Sequence, residues 1–249
     1  DGVGLVTLNR PDHLNAFSSI LHREVEDVMV DISLDGDIKA VVLTGAGRAF
    51  SAGGDLEYMK NRDKREASND VMIGPKRLIH SILTVKQPII TALNGDAVGV
   101  GCTVALFTDV VIMADGARIG DPHVSIGLVA GDGGSVIMPL LVGLNKAKEI
   151  LLTGDLVDAK EALRIGLVNR VVSQGQALEE AMVLARKLAN GPSLAIQWTK
   201  LAVNKLLFQA TESVLDASLA LEGMSIASQD HMEGINAFLE KRKPNFIGK

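Results

Sequence analysis

An α/β fold with a helical C-terminal part is predicted by three observations. Apolar runs of strand length, Ala40–Thr44, Ile89–Leu93 and Val110–Met113, recur between segments with helical spacing. Glycine reaches 25 residues while aromatic residues make up only 3%, a profile of close helix-on-sheet packing rather than of an all-β sandwich. From Lys146 onward helical patterns are interrupted by one strand-like run, Leu167–Val172. The 249 residues, 47% of them hydrophobic, suffice for one sizeable core. We place the boundary between the core, 1–190, and a helical subdomain, 191–249, at Gly191-Pro192.

Val3–Asn9 alternates apolar and polar residues and stops at Arg10-Pro11, a strand closed by a turn. Because that pattern is under way at the first residue, residues preceding Asp1 are expected. Asn15 and Ser18 are candidate caps for a helix over Ile20–Leu34, where Leu21, Val25, Val28 and Ile32 share a face. Ala40–Thr44, bounded by Gly45, is a buried strand. The small-residue turn Phe50–Leu56 leads into a short helix. Lys60–Asp70 is charged and poor in apolar residues, which fits a solvated loop, an exposed helix end or a lid beside a pocket. Val71–Val85 is helical again. Beyond the central stretch, Ala147–Leu152, Ala159–Ile165, Ala177–Ala189, Leu194–Leu207 and Thr211–Ser228 read as helices, the second capped by Asp158 and stopped by Gly166.

The chemistry concentrates in Pro88–Gly143, which holds three glycine-rich turns: Gly95–Cys102, Ile119–His123 and Gly131–Gly134. Glycines at strand ends let the backbone approach a ligand, and a helix starting there presents free N–H groups and a positive dipole end. His123 lies in this stretch with Asp132 nine residues on. A histidine titrates near neutral pH, and a carboxylate on its far nitrogen fixes the tautomer and stabilises the imidazolium. The residues alone leave alternatives: His123 as a turn residue bonded to backbone, Asp132 as a helix cap. His13, His22, His80 and His231 fall on predicted surface turns or helices without acidic or cysteine partners at ligand spacing, so no metal site is expected. Asp55 is expected to anchor its own turn, and Cys102 to pack as a small hydrophobe.

The net charge of −5, with no dense basic run except Lys241-Arg242-Lys243, argues against a nucleic-acid groove. A single cysteine excludes an internal disulfide and fits a reducing compartment. No apolar run has the length of a membrane span and no basic-then-apolar signal opens the chain, so a cytoplasmic location without membrane contact is expected.

In order along the chain stand Leu8-Asn9-Arg10-Pro11 with Leu14-Asn15-Ala16, then Phe50-Ser51-Ala52-Gly53-Gly54-Asp55-Leu56, then Asn94-Gly95-Asp96-Ala97-Val98-Gly99-Val100-Gly101-Cys102. Gly127-Leu128 with Gly131-Asp132-Gly133-Gly134 and Leu152-Thr153-Gly154 with Ala159 and Ala162 follow. Gly166-Leu167-Val168 and Glu233-Gly234 with Phe238-Leu239-Glu240-Lys241-Arg242 complete the set. Together they resemble the enoyl-CoA hydratase/isomerase family, the crotonase superfamily. The resemblance implies a crotonase-like spiral of ββα units with C-terminal helices that assemble homotrimers, often paired as hexamers. It implies an acyl-CoA thioester as substrate, coenzyme A entering only as part of that substrate and no cofactor being bound. By position, Ala52 and Val100 would donate the backbone N–H groups of an oxyanion hole, lined by Gly53, Gly54, Asp55, Leu56, Gly99, Thr103 and Gly131. Phe238 and Lys241 would lie near the adenine and phosphates of coenzyme A on a neighbouring subunit.

Two positions depart from the hydratases, in which a pair of glutamates holds the water that is added. Thr103 and His123 stand in those places. The expectation is therefore an enzyme that adds or activates water with His123 and Asp132 as its acid/base pair. The same pair is similar to that of the carbon–carbon bond hydrolases of the superfamily, which open cyclic β-diketones by a retro-Claisen route without coenzyme A. An isomerase needs only one base shuttling a proton. A non-catalytic scaffold of the same fold is a further alternative, and would require His123 to point away from the pocket.

Overall fold

The computed structural model describes residues 2–61 and 72–249. Its main sheet is five-stranded and parallel, in the order β1-β2-β3-β5-β8, with β1 Val3–Leu8, β2 Ala40–Gly45, β3 Ile89–Leu93, β5 Val110–Ala114 and β8 Arg170–Val172. Val41 pairs with Ile89, Ile90 with Val110 and Ile112 with Arg170. β2 and β3 are buried along their whole length, as apolar strands covered on both faces must be.

A second sheet joins β4 Ala97–Val98, β6 Arg118–Gly120 and β7 Val157–Asp158, with β6 parallel to β4 and antiparallel to β7. None of these short strands is visible in the sequence, because two or three residues carry no period-two pattern. β4 and β6 join the glycine-rich turns Gly95–Cys102 and Ile119–His123 to each other.

Helix α1, Ser19–Leu34, is capped by Ser18, whose Oγ accepts from the Leu21 N–H at 3.3 Å. Asn15 is no cap. It accepts from the Arg10 N–H and donates to the carbonyls of Ala46 and Ala49, each at 2.8–2.9 Å, stapling the first turn to the segment between β2 and Ala52. Short α2, Leu56–Asn61, contains Lys60; the rest of the charged stretch to Asp70, and Val71, lie outside the described residues. α3, Gly74–Thr84, packs on α1. α4, Val100–Leu106, is wholly buried, and α5, Gly134–Val142, follows the third glycine turn. α6, Leu144–Thr153, and α7, Ala159–Arg164, lead to α8, Ala177–Ala189. Alanines 177, 181 and 185 let α8 lie close on the sheet.

The two helices expected over Leu194–Leu207 and Thr211–Ser228 are one, α9, Ser193–Ile226. Phe208-Gln209-Ala210 contains no breaker, and the Thr211 hydroxyl donates back to the Phe208 carbonyl at 2.8 Å, so the helix continues. α10, Gln229–Leu239, follows, capped by Ser228. α9 sends Leu215 and Leu219 into the same hydrophobic cluster as the sheet. Among the described residues no helix is long and apolar enough to cross a membrane.

Candidate active site

The turn at Pro122 bends the chain so that Asp121 and His123 face each other. Asp121 Oδ1 binds His123 Nδ1 and also accepts from the His123 N–H at 3.3 Å. Asp121 is fully buried, and Gly134 makes room for it: a Cβ on Gly134 would collide with Asp121 Oδ2. Asp132, the expected partner of His123, lies on the other side of the ring, Oδ2 standing 3.7 Å from Nε2. The carboxylate bonded to Nδ1 is thus Asp121, and Asp132 faces Nε2. At 3.7 Å the two are too far apart for a direct hydrogen bond and close enough for one water to touch both.

Thr103 Oγ1 donates to Asp132 Oδ1 at 3.2 Å. A carboxylate therefore reaches the Thr103 side of the pocket from the opposite wall. His123 keeps 12% of its side chain exposed while Asp121 and Asp132 are nearly closed off, so the ring points at the accessible side.

A third carboxylate was not anticipated from the sequence. Glu222 of α9 is buried, and its side chain lies against Gly131, where an added Cβ would be 2.8 Å from Glu222 Oε2. Its sequence signal was its place on the inward face of α9, three residues after Leu219 and four before Ile226.

The charges act on one another. Burial alone would lower the His123 imidazole, but Asp121, Asp132 and Glu222 outweigh it and hold it well above its ordinary value. Burial raises Asp132 to about 6; nearby His123 and the donors Thr103 and Gly134 oppose the rise, while Asp121 adds to it. Burial, then Asp132 and Asp121, push Glu222 well above the carboxylate range, with His123 opposing. Burial, Asp121 and Asp132 likewise raise Cys102, so the thiol stays protonated and packs as a small apolar group.

Ligand atoms of Asp121, His123 and Asp132 lie within 4.8 Å of one another, a spacing that could hold a cation. The Asp121 bond to Nδ1 occupies that nitrogen with a proton, however, and Nε2 points to the other side of the ring.

The backbone donors need one correction. Ala52 N–H donates to Leu14 O at 2.9 Å and is already engaged. Ser51 bridges Ala97 in parallel, and a Cβ on Gly53 would meet the Val98 carbonyl at 3.0 Å, so the turn that holds Gly54 lies beside the one that leads into Val100. Gly54 N–H has no acceptor among the described residues, and Val100, first in α4, lacks an intrahelical one. Gly53 and Gly99 approach within a Cβ's reach, 3.8 Å, and His123 Cε1 lies 3.5 Å from the Cβ position of Gly99. The two glycine turns and the histidine therefore converge.

Asp55 pairs with Arg10 at 3.2 Å and accepts from the Tyr58 N–H at 3.2 Å, anchoring α2, whose first residue is half-buried Leu56. Phe238 and Lys241 are exposed at the end of α10 and do not join the cluster. His231, expected at the surface, is buried and its Nδ1 meets the carbonyl of Ile126, tying α10 to the turn that begins at His123. An open groove of about 580 Å³ lies between α1 and α3, lined by Glu26, Lys76 and Arg77 among others; no residue of the cluster borders it.

The whole chain, residues 1–249, matches the family model described as enoyl-CoA hydratase/isomerase. A crotonyl-CoA hydratase of Syntrophomonas wolfei is 36% identical over 99% of this chain and 95% of its own. A short-chain-enoyl-CoA hydratase of Clostridium acetobutylicum is 36% identical over 97% and 92%. The crystal structure of an enoyl-CoA hydratase/isomerase from Mycobacterium paratuberculosis superposes with a TM-score of 0.89 at 36% identity, covering 95% of each chain. The chain belongs to the enoyl-CoA hydratase/isomerase family, the crotonase superfamily.

Proposed function

We propose that the protein adds water across the double bond of an enoyl-CoA thioester, with His123 and Asp132 as the acid/base pair. The observation that carries this reading is the 3.7 Å gap between His123 Nε2 and Asp132 Oδ2, with Asp121 fixed on Nδ1. Asp132, at about 6, is largely ionised near neutral pH yet basic enough to accept a proton, while His123 holds one to give. Asp132 takes a proton from a water lodged between them, and the water oxygen bonds to the β-carbon. The π pair moves toward the thioester oxygen, received by the N–H groups of Gly54 and Val100; one such donor is worth ~2.7–4 kcal/mol of barrier. His123 Nε2–H then protonates the α-carbon, and the proton on Asp132 passes to His123 to reset the pair.

Coenzyme A is bound as part of the substrate, near Phe238 and Lys241 of an adjoining subunit. Leu194, Trp198, Leu206, Leu221 and Met224, each more than half exposed on α9, form the face through which copies assemble as a trimer or a hexamer.

A second reading, retro-Claisen cleavage of a cyclic β-diketone, is favoured by one observation. Neither Thr103 nor His123 is the carboxylate that hydratases place there, and a His/Asp pair can equally direct water at a carbonyl. One experiment separates the two: wild type and His123→Ala assayed on crotonyl-CoA and on a cyclic β-diketone. Hydration predicts turnover of the thioester that drops about 10²–10⁴-fold in the variant. Turnover of the diketone alone selects the second reading, and a variant equal to wild type removes His123 from the chemistry.

A further inference from the structure

The inward face of α9 carries a stripe of polar residues, and most are tied down. Lys200 Nζ reaches Asp109 and the Gln87 carbonyl, Asn204 donates to the Leu83 carbonyl, and Ser218 to the Gly131 carbonyl, all at 2.7–2.9 Å. Glu222 differs. It is 5% exposed, and its Oε2 has no hydrogen-bond partner among the described residues. The loop in front of it is tied to α9: Ser218 donates to Gly131 O and Ser225 Oγ accepts from the Val129 N–H at 3.1 Å. Gly131 admits the contact, since a Cβ there would strike the Ser218 carbonyl and Glu222 itself.

Glu222 is thus pressed against the residue preceding Asp132. The groups whose charge it feels are Asp132, Asp121 and His123. One imidazolium cannot balance three buried carboxylates, and two carboxyl groups close together in a dry site do not both ionise. Asp121 is bonded to Nδ1, and Asp132 receives hydrogen bonds from Thr103 and from the backbone of Gly134. Asp121 Oδ2 and Glu222 Oε2 both lack a partner among the described residues, but Asp121 is bonded to the imidazole through Oδ1, which leaves Glu222 as the carboxyl group without a bonded cation.

We propose that Glu222 is a neutral carboxylic acid in the resting enzyme, which leaves Asp132 ionised as the base. α9 thereby sets the charge of the acid/base pair in addition to presenting an outer face. Glu222 is a positioning residue in this role, and the reading rests on the proposed hydration chemistry for its functional meaning only.

The test is infrared spectroscopy of the substrate-free protein at pH 7. A carboxylic-acid C=O band is expected in wild type, shifted by ¹³C-glutamate labelling and missing from Glu222→Gln. Labelling needs no variant, so a folding defect in Glu222→Gln does not obscure the result. No labelled band, as an ionised Glu222 or a divalent cation held by these carboxylates would give, overturns the proposal. So does a band that persists in Glu222→Gln. In kinetics, Glu222→Gln exchanges one neutral group for another, so both limbs of the kcat/KM profile are expected to stay where wild type has them. A limb displaced by about one pH unit or more would show that Glu222 carries charge in the resting enzyme and overturn the proposal. If His123→Ala keeps full turnover while the band behaves as expected, the hydration reading fails and the neutral Glu222 stands.

Discussion

α9 carries two buried ionisable groups, Lys200 and Glu222, about 33 Å apart along its axis, and their surroundings are opposite. Lys200 meets one carboxylate, Asp109, at 2.7 Å, and donates to the Gln87 carbonyl at 2.8 Å. Burial lowers its pKa and Asp109 counters the effect, so charge is matched one to one. Asp109 also accepts from the Ile89 N–H at 2.7 Å, fixing the start of β3. At the other end three carboxylates surround one imidazole, and Asp121 Oδ2 and Glu222 Oε2 have no partner among the described residues. A buried charge that is matched and hydrogen-bonded serves the fold. An excess of like charge with unfilled oxygens destabilises the fold, and its persistence marks a place where protons move.

The largest expected effect breaks the matched end. Lys200→Met leaves half-buried Asp109 without its counter-charge and the Gln87 carbonyl without its donor, and unfolding stability is expected to fall by about 3 kcal/mol in denaturant titration. Activity per folded molecule should stay at the wild-type level. A loss under ~1 kcal/mol would show that Lys200 is not the anchor described. At the unmatched end, Asp121→Asn keeps the shape and removes the charge behind Nδ1. We expect kcat to drop about 10–100-fold with KM little changed, because His123 then holds its proton less firmly. A pH–rate profile superimposable on that of wild type would contradict the orienting role of Asp121.

The contrast also explains what the sequence reveals. Buried strands such as Ile89–Leu93 are legible because both faces are covered, and α8 is legible through its alanine spacing and flanking turns. Asp121 stood inside a recognised glycine turn, yet its bond to His123 depends on the bend at Pro122, which no helix or strand period encodes. Asp132 was singled out, but which nitrogen it faces is a matter of ring orientation, set by Asp121. The proposed oxyanion donor is Gly54 rather than Ala52 because the Leu14 carbonyl, beside the Asn15 staple, takes the Ala52 N–H. Glu222 is 99 residues from His123 in sequence; only the packing of α9 on Gly131 joins them.

The smallest effect is the most direct measure of the strain at the unmatched end. Asp132 sits at about 6 in the folded protein against 3.8 for the free side chain. A raised carboxyl pKa means that the native state binds the proton more tightly than the unfolded chain. Its stabilising contribution is full below 3.8 and is lost as pH rises through about 6. Asp132→Asn removes that titration, so the variant is expected to gain on wild type across this window, by on the order of 2 kcal/mol. Glu222, raised by burial and Asp132, and His123, raised by its acidic neighbours, are present in both proteins, so the difference between the two curves reports Asp132 together with its coupling to them. Urea midpoints at pH 4, 5, 6 and 7 would read the difference, and parallel curves for the two proteins would mean that Asp132 carries no strain.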